Sequence, residues 1–371
     1  MKLPMSDGEH PSRETHRPTE TVVGHVMELD ELKSVYAHEG PFVTVYLEGR
    51  APGEDAEKQV RLRWQNLRER LEGEHADAGA LDALEAALES GQFGEAQTNG
   101  RVLVAAAGDG VVLDESWDAA LGGGDTAYAG RLPELGAHVR EAAQAVRVLL
   151  VVTGQEDAEL RRLVVAAEHE PDEVAREEVR GGAVESPHHV REGALAHRRI
   201  QRRADEAVRQ NAKEISAAVG AAVAEFPPDI LVLAGEVQGR TAVREQLSGD
   251  FAGLLEETDR GGRGDSGAET ALLDEVLRIA AQHSTEAEAG HAARLEQAGA
   301  NRLAAKGDPE VMKAAENGAV DTLLLEQGTD TKREALLLKT GARTGASVAV
   351  VQPGTGLPDG VGAVLRFPPE G

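Results

Sequence analysis

The stretch from His188 to Arg209 holds the residues whose types and spacing depart most from the rest of the chain. It carries Arg191, Arg198, Arg199, Arg202, Arg203 and Arg209 against Glu192, Asp205 and Glu206, a local charge of +3 in a chain of formal charge −26. Guanidinium groups bind phosphate oxygens bidentately and keep their charge. On a helix, Arg198 with Arg202 and Arg199 with Arg203 stand four residues apart, so two adjacent rows of cations line one side. Such a strip can grip an RNA backbone even in an acidic protein. It can equally be a solvated helix face neutralised by the chain's own carboxylates. His188, His189 and His197 stand at the head of the segment. Imidazole can ligate zinc, but no carboxylate completes a recognised spacing, so polar contact is expected there and no metal.

The familiar catalytic signatures are missing: there is no Gly-x-x-x-x-Gly-Lys phosphate loop, no His-Glu-x-x-His and no Gly-x-Ser-x-Gly. The run from Gly262 to Gly267 has the letters of a dinucleotide fingerprint, yet Glu256 to Arg260 before it does not read as the strand that fingerprint requires. No catalytic residue and no cofactor are expected. With 371 residues the chain can form two or three domains, and with no cysteine it can hold neither a disulfide nor a thiolate metal site. Mean hydropathy is −0.35, and no apolar run approaches the roughly 18 to 20 residues of a membrane span. Residues 1–20 read as a polar, disordered lead, so a cytoplasmic protein is expected, with no membrane or DNA partner. Aromatic residues make up only 3%, which leaves few platforms for stacking single-stranded bases.

The elements that must position the basic segment form an α/β pattern of three domains, with mixed sheets and packed helices. A first, divergent domain over 21–140 pairs the strand Pro41 to Leu47 with a helix from Asp55 to Glu72, on which Val60, Trp64, Leu67 and Leu71 recur at helical spacing. A second helix covers Ala80 to Leu88, and the runs Val102 to Ala106 and Val111 to Leu113 form a hairpin about Gly108-Asp109-Gly110. A middle domain over 141–227 opens with the continuous apolar strand Ala145 to Val152 and a second strand from Glu159 to Val165. An irregular polar stretch from Glu168 to Glu192 and a helix from Ala194 to Phe226 follow. Pro227-Pro228 stops that helix. The strand Asp229 to Gly235 is expected to open a C-terminal α/β domain over 228–371. There Asp308-Pro309 begins a helix whose free amides Asp308 caps, Asn317-Gly318 ends it, and strands follow over Val320 to Leu325 and Ala346 to Val351.

The run Arg191-Glu-Gly-Ala-Leu-Ala-His-Arg-Arg-Ile-Gln-Arg-Arg203, the long helix after it, the strand Asp229 to Gly235 and the later Val311 to Leu325 resemble archaeal and eukaryotic class-1 release factors and their relative Pelota. The resemblance covers roughly residues 145 to 351 and is weak over the first domain. Within that superfamily the chain is most similar to the bacterial branch that includes the ribosome hibernation factor Balon. What the resemblance implies is a tRNA-shaped protein for the ribosomal A site, with elongation factor Tu as a possible partner. Release factors carry a Gly-Gly-Gln loop ahead of the basic helix; here the matching positions read Glu192-Gly193-Ala194, and the nearby pair Gly181-Gly182 is followed by Ala183. The Asn-Ile-Lys-Ser codon-reading motif is also missing. The expectation is therefore a hibernation factor that occupies the A site without codon-directed release. In it Arg198, Arg199, Arg202 and Arg203 hold ribosomal RNA, and His188, His189, Arg191 and His197 lie at a loop tip near the peptidyl-transferase centre. The alternative is a peptidyl-tRNA hydrolase rescuing stalled ribosomes through Gln201 or a histidine. A third option keeps the fold but has left the ribosome.

Overall fold

The computed structural model describes residues 26–47, 56–90, 100–117, 124–154, 156–166, 172–180, 194–260, 266–329, 331 and 333–368. A short strand β1 (Met27–Glu28), a 3-10 turn (Leu29–Leu32) and α1 (Lys33–Tyr36) lead into the first sheet. That sheet is built from β2 (Phe42–Leu47), β3 (Gly100–Ala106), β4 (Gly110–Trp117) and β5 (Thr126–Gly130), in the antiparallel order β4-β3-β2-β5. The hairpin between β3 and β4 turns where expected, with Gly108 and Gly110 at φ +84° and +79°, backbone angles that a side chain would strain. Strand alternation sorts its residues onto two faces. Val43, Val45 and Leu103 meet Trp64, Leu71 and Leu84 of the helices α2 (Ala56–Gly73) and α3 (Ala78–Ser90). Phe42, Tyr46, Val102 and Val104 turn the other way, into a core shared with residues beyond 300. Covered on both sides, all six residues of β2 are buried. After β5, α4 (Gly136–Gln144) closes this part.

The middle sheet has the order β10-β9-β6-β7-β8. Its strands are β6 (Val146–Thr153), β7 (Asp157–Val165) and β8 (Asp172–Arg180), and then, after the long helix α5 (Ala194–Glu225), β9 (Ile230–Gly235), α6 (Val237–Gln246) and β10 (Leu255–Glu257). Two expectations change here. Residues 168–192, read as irregular, contain the strand β8, which pairs with β7 from Asp157↔Arg180 to Val164↔Asp172. Its polar sequence follows from its place at the sheet edge, where most of its side chains stay exposed. The strand expected to open the C-terminal domain is β9, which lies parallel beside β6 over Val148↔Ile230 to Thr153↔Gly235. The expected division at 227/228 thus falls inside one sheet. Prolines end a helix, but the crossover helix α5 returns the chain to the same sheet, as parallel pairing requires.

No helix was read over residues 266–300, yet α7 (Ser266–Ala300) runs through all of them. Its first half buries Leu272, Val276, Ile279 and Ala280 against the middle sheet, and its second half buries Leu295 and Ala298 against the last one. At about 100° per residue these two stripes lie roughly 90° apart around the helix, so α7 is one strut serving two sheets on two faces. Gln144 of α4 reaches it by donating from Nε2 to Glu288 Oε1 at 2.7 Å.

The last sheet takes the order β1-β13-β12-β14-β11. After β11 (Ala304–Lys306), α8 (Asp308–Glu316) leads to β12 (Val320–Glu326), α9 (Glu334–Thr344) carries the chain across to the parallel strand β13 (Ser347–Val351), and β14 (Val361–Leu365) returns antiparallel to β12. The N-terminal strand β1 adds to β13 through Met27↔Val348 and Glu28↔Ser347, so the chain's start is part of its last sheet. Arg140 of α4 strengthens the same junction by gripping both carboxylate oxygens of Glu334 and donating to the Thr329 carbonyl at 3.0 Å. Asp308 does not cap α8 as expected: Gly307 holds the cap position, and the Asp308 carboxylate binds the Arg333 guanidinium at 2.6 Å. Among the described residues no helix is long and apolar enough to cross a membrane.

Burial pushes the Glu141 carboxyl on α4 up to about 8 from 4.5. Between those values the folded chain holds a proton that the unfolded chain has released, so this group's contribution is complete below about pH 4.5 and is lost as pH rises toward 8. Glu141→Gln keeps the neutral shape at every pH. Thermal unfolding of the variant is expected to lose that slope, so that it is more stable than the native chain at pH 8 and the difference shrinks toward pH 4.5.

Candidate nucleic-acid interface

The 32 residues of α5 span about 48 Å. The C-terminal half packs on the sheet through buried Asn211, Ala212, Ile215, Val219 and Ala222, with Phe226 just past its end. These lie within roughly 60° either side of Ile215 on the helical wheel. Continued toward the N-terminus, the same wheel puts positions 198, 199, 202 and 203 roughly 100° to 240° around from Ile215, on the half opposite the packed stripe. Their backbone is helical, as expected. Positions 197 and 201 fall on the continuation of the packed stripe, so the wheel divides His197 from the arginines. His188, His189 and Arg191, and with them Gly181 to Gly193, lie outside the described residues.

Strand directions fix which end of the sheet α5 comes from. β6, β8 and β9 all run the same way, since β7 is antiparallel to both β6 and β8. The chain therefore leaves β8 at Arg180 on the carboxyl side of the parallel strands, and α5 runs back from there. In open α/β sheets this end is the usual place for a small-molecule ligand, in the crevice where neighbouring strands diverge. Here that crevice is filled by backbone. Glu236 donates its amide to the Thr153 carbonyl at 2.9 Å, and the Thr153 hydroxyl donates to the Ala234 carbonyl at 3.0 Å. A Cβ at Gly235, whose φ is +100°, would overlap the Thr153 carbonyl oxygen and stand 2.6 Å from the Thr153 nitrogen. One at Gly239 would overlap the Gly154 carbonyl. The start of α6 is pressed onto the β6–β7 turn, leaving the sheet end as a scaffold from which the basic helix rises.

The arginines of β7 and β8 are neutralised. Buried Arg161 binds Glu159 and reaches Glu269 in the first turn of α7 at 2.9 Å, while Arg176 binds Glu173 at 2.8 Å and stands 3.5 Å from Glu159. The Arg176 guanidinium holds the Glu173 carboxyl below its usual range. Arg162 pairs with Glu225 at 2.9 Å. The exposed side of α5 differs. Arg209 and Lys213 are exposed and form no ion pair within 4.0 Å among the described residues, even with Glu206 one turn before Arg209. Arg209 belongs to the basic segment read from sequence, whereas Lys213 was missed; its signal was the four-residue step from Arg209. Among the described residues no three His, Asp or Glu side chains gather as a metal site.

Residues 147–301 match the model of bacterial archaeo-eukaryotic release factor family 2. Two curated relatives, the uncharacterized proteins MT2704 and Rv2629 of Mycobacterium tuberculosis strains CDC 1551 and H37Rv, are each 25% identical over 324 residues, covering 81% of this chain and 78% of theirs. Solved structures that resemble the chain include the archaeal translation termination factor aRF1 (19% identity, 91% of this chain and 96% of that one, TM-score 0.26). Archaeoglobus fulgidus Pelota matches at 16% identity over 94% and 95% with a TM-score of 0.33. Dom34 of S. cerevisiae, described as a translation termination-like factor, matches at 14% over 75% and 82% with a TM-score of 0.41.

Proposed function

We propose, from the match of residues 147–301 to the bacterial archaeo-eukaryotic release factor model, that the chain is a ribosome-associated translation factor whose basic half-helix holds ribosomal RNA. The observation that carries this reading is the position of α5. The family match over 147–301 includes it, its exposed cations Arg209 and Lys213 lie off its packed stripe, and the small-molecule crevice beside it is filled by backbone. In the finer form, the protein sits in the A site and blocks it without releasing peptide, as in the hibernation branch, with elongation factor Tu as a possible delivery partner. The missing Gly-Gly-Gln sequence supports blocking over hydrolysis. A hydrolase working through Gln201 would need that side chain on a loop, whereas position 201 is inside a helix on the packed side of its wheel.

Cosedimentation with vacant ribosomes tests the reading. Native protein is expected to pellet with ribosomes. Changing Arg198, Arg199, Arg202 and Arg203 together to Glu is expected to weaken binding at least about 100-fold and to flatten its salt dependence, because each lost phosphate contact removes released counterions. Unaltered affinity and salt slope in that variant would sink the RNA contact. Labelled peptidyl-tRNA should remain intact on the ribosomes; its hydrolysis by the native protein would replace blocking with rescue.

A further inference from the structure

The geometry points to an RNA track that does not end with the four arginines but continues down the packed half of α5 through Arg209 and Lys213, and its fitting partner is the backbone of double-helical RNA. This deepens the reading of the same helix and rests on it. On the helical wheel, positions 198, 202, 209 and 213 fall within one sector roughly 60° wide. They cover about 22 Å of helix length. In the described part of that sector both cations are exposed and form no ion pair among the described residues, while the cations of β7 and β8 on the sheet nearby are bound to carboxylates. In a chain of charge −26, two neighbouring exposed cations, Arg209 and Lys213, with no ion pair among the described residues suit a polyanion.

Where the track stops is also defined. Beyond Lys213 the outward positions are Ala217, Gly220, Ala221 and Ala224, none of which can bind a phosphate. The occupant follows from what the ridge lacks. The outward face of α5 carries no aromatic side chain on which a base could stack, so single-stranded RNA would gain little beyond charge. A rigid row of point cations on a convex helix is matched by phosphates held at fixed spacing, and A-form RNA presents these beside its wide, shallow minor groove. Glu206 is exposed and lies about 20° outside the sector on the wheel; a carboxylate beside the row disfavours a loose polyanion lying anywhere along the helix.

The test compares the full chain with an Arg209→Glu/Lys213→Glu double variant and a conservative Arg209→Lys/Lys213→Arg variant. The probes are a perfectly paired RNA hairpin of about two helical turns, an unstructured RNA strand of the same length and vacant ribosomes. Circular dichroism controls for helix content. The track predicts that the hairpin binds at least about 10-fold tighter than the single strand. The double Glu variant should lose about 10-fold or more in hairpin affinity, with the log-affinity against log-salt slope reduced by about 2, and the conservative variant should keep both. Hairpin affinity and slope unchanged in the double Glu variant, or a single strand bound as tightly as the hairpin, would overturn it. The ribosome arm separates the two claims: loss of ribosome binding only in the four-arginine variant overturns the extension and keeps the translation-factor reading. Hairpin binding that depends on Arg209 and Lys213, with no binding to ribosomes, keeps the track and overturns that reading.

Discussion

Gly235→Ala is expected to cost the middle sheet at least about 3 kcal/mol, although it adds only one methyl group. Two penalties coincide at this position. The backbone sits at φ +100°, a region that side chains rarely occupy, and the new Cβ would run into the Thr153 backbone of the neighbouring parallel strand. Neither obstacle is the flexible end of a side chain, so relief requires β6 and β9 to separate where they pair through Thr153↔Gly235. Gly220→Ala is the matched control. Gly220 lies inside α5, and a Cβ there would meet nothing within 4 Å, so alanine should stabilise by roughly 1 kcal/mol through helix propensity alone. Both tryptophans, Trp64 and Trp117, belong to the first sheet and its helices, so fluorescence would miss the effect. Hydrogen exchange of peptides covering 146–165 and 230–235 reads it directly: protection should fall in Gly235→Ala and hold or rise in Gly220→Ala. Unchanged protection in Gly235→Ala would mean that the strand ends are not packed as described.

The same contrast shows what the sequence could reveal. Elements with one buried face were legible, because periodicity reports a single face: Trp64, Leu67 and Leu71 on α2 and the hairpin glycines were read correctly. Where an element serves two surroundings, periodicity fails. α7 changes its buried face midway, from Leu272 and Val276 to Leu295 and Ala298, so no single stripe runs its length and it was not read at all. β8 buries almost nothing and looked like a loop. Sheet membership was beyond the sequence for a different reason. An apolar strand such as Ile230 to Gly235 fits any sheet centre, and only the crossover through α5 selects β6 as its neighbour. For the candidate interface, the long helix was legible from its spacing, and its backbone runs through positions 198 to 203. The filled crevice at Thr153 and Gly235 could not be seen, because it depends on backbones brought together from residues about 80 apart.

Arg161→Ala is expected to destabilise the middle sheet by about 3 kcal/mol and to loosen the start of α7. Arg161 is 7% exposed, and its guanidinium serves Glu159 on its own strand and Glu269 on α7. Removing the buried cation takes the nearer counter-charge from Glu159, itself mostly buried, while half-exposed Glu269 keeps its water, so the cost arises chiefly at Glu159. The neighbouring Arg176 limits the damage, since it already lies 3.5 Å from Glu159 and 3.7 Å from Glu269 and can move toward both. The pairwise accounting is therefore not additive, and an Arg161→Ala/Arg176→Ala chain should lose more than the sum of the single changes. Arg161→Met gives the complementary test. It fills the volume of the stem without the charge, so a smaller loss than in Arg161→Ala would assign part of the effect to packing of the aliphatic chain. If both replacements leave hydrogen exchange at 157–165 and 266–272 unaltered, the network does not hold α7 to the sheet. Because α7 also carries the last sheet on its far half, loosening its first turn should weaken the link between the body that bears the basic helix and the body that bears β12 and β13. The ribosome binding proposed above should then fall although α5 itself is unchanged.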